Sequence, residues 1–86
     1  MSLAELALNV VSRYQNMLEL AENLDSLSEE FEPKQRYFLL RLLYAYSKSY
    51  GVGWSSTGIE EFKRWLESPE TKAFLNALES EFESWD

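Results

Sequence analysis

The sequence predicts an all-α fold, a compact bundle of about four helices arranged as two hairpins. Three observations carry that prediction. No stretch alternates apolar and polar residues with a period of two, and no run is rich in Val, Ile and Thr, so strands are not expected. Apolar residues recur instead at spacings of three and four through most of the chain. Pro33, Pro69, Gly51 and Gly58 fall where such segments start or stop.

The first helix is expected over residues 3–24. Leu3, Ala7, Val10, Tyr14, Met17, Ala21 and Leu24 alternate four-three as an unbroken heptad seam, and Leu6, Val11 and Leu18 widen the stripe. Residues 25–32 are expected to connect, with a short turn capped by Ser26 or Ser28. Pro33 then opens a second helix that runs to about Ser49 and stops at Gly51, the residue type that tolerates positive φ. Residues 51–58 give the long loop signal. Thr57 with Glu60 three residues on reads as a capping box for a third helix over 59–67. Ser68 and Pro69 read as cap and first residue of a fourth, which continues to about Ser84 and buries Phe74, Leu75, Leu78, Phe82 and Trp85.

An 86-residue chain is one domain, 1–86, near the lower limit of size for folding unaided. Its 15% aromatic content is what makes a core affordable at that size. The chain has no cysteine and no histidine, which removes disulfides, thiolate nucleophiles, His-based triads and structural zinc. Acids at helical spacing, such as Glu19 with Glu22, lack the histidine of a di-iron motif, and no Asp-rich loop suggests calcium. No catalytic, cofactor or metal residue is therefore expected. The chain start has no basic region, and the run from Tyr37 to Tyr46 is interrupted by Arg41. A cytoplasmic protein without a membrane segment is the expectation.

Charge is distributed unevenly. The net charge is −7, yet residues 33–58 hold Lys34, Arg36, Arg41 and Lys48 and no acid. On a helical wheel Phe38, Leu39, Leu42, Leu43, Tyr46 and Tyr50 form the core-facing side. Opposite them Lys34, Tyr37, Arg41, Tyr44 and Lys48 interleave cations and tyrosines along a line about 20 Å long. Such a stripe suits a nucleic-acid backbone, with cations on phosphates and rings under bases. It equally suits packing against the chain's own acidic helices, a second copy, or another protein.

Other features compete with that stripe. Glu79, Glu81, Glu83 and Asp86 end the chain as an acidic face, either a solvated surface or a mimic of a phosphate backbone. Trp54, flanked by Ser55 and Ser56, is either a core plug or an exposed anchor in an interface loop. Asn9, Asn16 and Asn23 recur every seven residues on the polar side of the first helix, where Asn is a poor helix former. The Gly51-x-Gly53 pair lacks the strand and lysine of a phosphate loop. The sequence thus points to a small non-enzymatic interaction protein that docks helix faces on a protein partner, with homodimerisation open. The alternatives are a weak nucleic-acid-binding subunit using the stripe and an acidic nucleic-acid mimic.

Overall fold

The computed structural model describes residues 2–85, apart from the side chain of Ser28. It is all-α. Among the described residues six helices follow in order: α1 (Leu3–Val11), α2 (Met17–Glu22), α3 (Leu24–Glu30), α4 (Pro33–Tyr50), α5 (Ile59–Glu67) and α6 (Pro69–Ser84), with a 3₁₀ turn over Gly51–Ser56. One apolar cluster joins them, centred on Leu3, Met17, Leu20, Phe38, Leu42, Tyr46, Phe62 and Leu78. The radius of gyration is 12.2 Å, matching the roughly 12 Å expected of a folded chain this long. The shape is a slab of 34 × 31 × 19 Å.

The expected 3–24 helix is two helices, α1 and α2, and stops where α3 begins. α1 stops at Val11, and residues 12–16 turn the chain. Asn16 takes an extended backbone, and its side chain accepts from Glu19 N–H at 2.9 Å as the N-cap of α2. Met17 N–H, which a continuing helix would give to Arg13, bonds instead to Thr57 C=O at 3.1 Å. This tertiary bond, part of a lone bridge between Asn16 and Gly58, competes with helical continuation. Asn23 makes the second break. Its Nδ2 donates to Glu19 C=O at 2.8 Å, and its own carbonyl starts α3 by accepting from Leu27 N–H at 3.1 Å. The expected connection over 25–32 is therefore mostly helix, and Asn23, not Ser26 or Ser28, stands at its N-cap. The heptad seam is buried at Leu3, Ala7, Val10 and Met17, whereas Leu18, assigned to its flank, is half exposed.

α4 begins as expected at Pro33, with Glu32 N–H donating to Gln35 Oε1 at 3.2 Å. It ends at Gly51, whose φ of 80° is the conformation that excludes most side chains. The segment expected as a loop then winds as the 3₁₀ turn. The expected Thr57–Glu60 capping box does not form. Gly58 is the N-cap of α5, Glu60 turns to Lys63 at 3.6 Å, and Thr57 Oγ1 donates to Trp54 C=O at 2.7 Å. With that proton committed, Tyr46 O–H donates to Thr57 Oγ1 at 2.6 Å. Thr57 thus ties the 3₁₀ turn to α4 and, through its carbonyl, to α2.

Tyr46 sits at 0% exposure, its ring edge-on to Phe62 and Trp65 at 5.1 and 5.3 Å. Tyr50, placed on the core side by its register, is instead largely exposed, its ring 4.7 Å from that of Tyr46. α6 buries Leu78 and Phe82 and half-buries Phe74 and Leu75, while Trp85 remains partly exposed.

Candidate interaction surface

The α4 stripe divides into two halves with different surroundings. Its first half is occupied by α6. Lys34 Nζ lies 4.5 Å from the centre of the Phe82 ring. Tyr37 packs on Trp85 at 5.2 Å and stands edge-on to Phe38 at 5.1 Å. Arg41 donates to Glu81 Oε2 at 2.9 Å and lies over Tyr37 at 5.6 Å. Each group already has a partner within the chain. The Arg41–Glu81 pair is more than a third exposed at both ends, so it contributes about 0–1 kcal/mol. The ring contacts at Tyr37 add about 0.5–1.5 kcal/mol each.

The second half is open. Tyr44 is 63% exposed, and its neighbour in space is Lys48, whose Nζ lies 5.4 Å from the ring centre. Leu40, one turn before Tyr44 on the same side, is also exposed, as are Tyr50 and, fully, Val52 at the other end. Leu40, Tyr44 and Lys48 thus share one exposed side of mid-α4 with one cation, and Val52 is exposed in the 3₁₀ turn beyond it, while Tyr50 lies on another side of the helix, toward α5. Tyr50 is fixed by its hydroxyl, which donates to Glu61 Oε2 at 2.8 Å. That bond to a carboxylate, reinforced by loss of hydration, pushes the phenol up to about 12. Burial likewise raises Tyr46 above the ordinary tyrosine value.

The acidic residues do not act together. Glu79 faces the start of α1, where its two oxygens accept from Leu3 N–H at 3.0 Å and Ala4 N–H at 2.8 Å. A carboxylate at a helix N-terminus satisfies donors that have no partner in the helix and complements its dipole. Ser2 supplies the usual cap to Glu5 N–H at 3.1 Å, so Glu79 closes the rest of that turn from across the core. Glu81 is held by Arg41, Glu83 is exposed, and Asp86 lies outside the described residues. The expected acidic face is therefore split between a cap, an ion pair and solvent. No signal within α6 alone distinguishes Glu79, because the cap joins residues 75 apart in sequence.

Trp54 is half-buried against the core, its carbonyl taken by Thr57 N–H and Oγ1, and Ser55 and Ser56 lie beside it at the surface. Asn16 and Asn23 belong to helix ends, which is why Asn recurs there. Arg36 is the one cation of residues 33–58 that does not lie on the stripe. Its Nε is buried without a hydrogen-bond partner among the described residues, at the edge of an apolar cleft between α3 and α4. Such an unsatisfied donor costs about 1–3 kcal/mol.

Among the described residues, no group of three Asp or Glu side chains is placed to hold a metal ion, and no helix is long and apolar enough to cross a membrane. No family model, curated protein or solved structure matches the chain. What stands is a small, compact, all-helical domain.

Proposed function

We propose that this domain is a non-enzymatic interaction module that docks on a protein partner through the surface running from Leu40 and Tyr44 of α4 to Val52. The observation that carries this reading is the exposure of Tyr44 beside Lys48 on a helix whose preceding turns are covered by α6. Exposed aromatic and aliphatic side chains with one cation are the composition of interface centres, where rigid rings bury much area for little lost entropy. A nucleic-acid role is weaker on the same geometry. With Lys34 and Arg41 committed to Phe82 and Glu81, one cation of the stripe, Lys48, remains to meet phosphates where a backbone-tracking surface uses several. The mimic reading loses Glu79 to the α1 cap and Glu81 to Arg41.

The test is photo-crosslinking in the native host, with a benzophenone amino acid placed singly at Tyr44, Val52, Lys72 and Glu22. The expected result is one discrete protein adduct from Tyr44 and Val52, lost with Lys48→Glu, and none from Lys72 or Glu22. Adducts from Lys72 or Glu22 alone would move the contact surface elsewhere. Adducts to nucleic acid at Tyr44 would favour the second reading.

A further inference from the structure

Helices α4 and α5 both end beside a broad opening on a different side of α4 from Tyr44. Ser49 and Tyr50 line it from α4, Glu61, Arg64 and Trp65 from α5, and Ser68 closes it. Its room is about 610 Å³, within the roughly 300–1,000 Å³ of ligand clefts. Two rings stand in it. Tyr50 is largely exposed and Trp65 half-buried, and both rest against the buried ring of Tyr46, at 4.7 and 5.3 Å. The Tyr50 hydroxyl donates to Glu61 Oε2 at 2.8 Å, which fixes ring and carboxylate before any ligand arrives. Ring faces beside a carboxylate are the chemistry that holds a quaternary ammonium. Such a cation has no N–H to donate and responds to the field alone, so the hydrogen bond Glu61 already accepts does not block it. The carbonyl ends of α4 and α5 add partial negative charge at the same place. Arg64 completes the lining. It lies 3.3 Å from Glu61 Oε1, and its side chain is 71% exposed, so most of its N–H groups can meet a phosphate. A lining of one acid, one base and two rings is complementary to a ligand that joins a methylated cation to an anion.

We propose that this opening binds a phosphocholine group, its trimethylammonium against Tyr50, Trp65 and Glu61 and its phosphate accepting from Arg64. The site shares no residue with the docking surface and does not rest on that reading. The test is an amide and indole NMR titration of the full chain with phosphocholine, beside tetramethylammonium, phosphoethanolamine and inorganic phosphate. Phosphocholine is expected to shift the Trp65 indole N–H and the Glu61 and Ser68 amides saturably. Each of the other three lacks one half of the recognition and should bind about tenfold more weakly or worse. Arg64→Gln, a change at the surface, should weaken phosphocholine by about tenfold and leave tetramethylammonium unchanged. Tyr50→Leu should weaken both. The comparison of small molecules uses the unsubstituted chain, so it decides the matter even where Tyr50→Leu does not fold. Equal binding of any of the three controls, unchanged phosphocholine affinity in Arg64→Gln, or no saturable shift overturns the proposal. Flotation with phosphatidylcholine vesicles, beside phosphatidylglycerol vesicles, then separates the sources. Selective flotation with the first assigns a bilayer headgroup, and its absence with phosphocholine bound assigns a soluble ligand.

Discussion

Glu79 and Tyr50 are polar side chains whose roles come from what stands opposite them. Glu79→Ala removes the acceptor of two α1 amides and should destabilise the domain by about 1 kcal/mol, the usual value of a helix cap. Glu79→Gln keeps an acceptor and should lose less. Urea unfolding of the two variants checks both, and an unchanged midpoint for Glu79→Ala would mean water serves those amides equally well. Tyr50 makes a prediction in pH. Its phenol is raised in the folded state to about 12 from an ordinary value near 10. The neutral form is thus the one that folding favours. Its contribution is complete below pH ~10 and is lost as pH rises through ~12. Tyr50→Phe should therefore flatten the fall in urea midpoint across that window, leaving the part due to Tyr46, whose burial shifts it the same way. An alkaline limb unchanged by the substitution would contradict the Tyr50–Glu61 bond.

Among the elements, the asparagines separate what the sequence shows locally from what it does not. Helices α4, α5 and α6 are legible, because proline, glycine and apolar spacing agree on their ends. The break of the first segment is not, because the heptad seam continues through it. Leu3, Val10 and Met17 remain on the buried side although the backbone turns between them. α1 ends in i→i−3 bonds from Arg13 and Tyr14, and what keeps a helix from continuing through Met17 is the bond of its N–H to Thr57, forty residues away and outside any local pattern. The local signal was present in Asn16 and Asn23, whose preference for caps outweighs their place in a row. Asn16→Ala should cost about 1 kcal/mol, and Asn16→Asp, which keeps the cap, should cost little. Thermal unfolding followed by circular dichroism distinguishes them. Equal stability of Asn16→Ala and the parent chain would mean that the turn is held without its cap. The stripe was half legible for a related reason: a wheel places Lys34 and Lys48 on one line, but cannot show that α6 crosses the first half alone.

The whole molecule is a thin slab in which aromatic rings supply much of the core. Tyr46, Phe62 and Trp65 form one cluster, Phe38 and Phe82 with Trp85 another. A core of this size has few alternatives when a ring is lost, so Phe62→Ala should cost about 3–5 kcal/mol and leave little net stability. At this scale α4 is divided between a half packed against α6 and a half open to solvent. The most direct test is urea unfolding of two double variants, Tyr37→Ala/Arg41→Ala and Tyr44→Ala/Lys48→Ala. The first removes the ring contacts and the Glu81 pair and should lose about 1–2 kcal/mol. The second removes only surface and should stay within about 0.5 kcal/mol of the parent chain. Equal losses, or the larger loss at Tyr44 and Lys48, would contradict the division and place the open half in the fold itself.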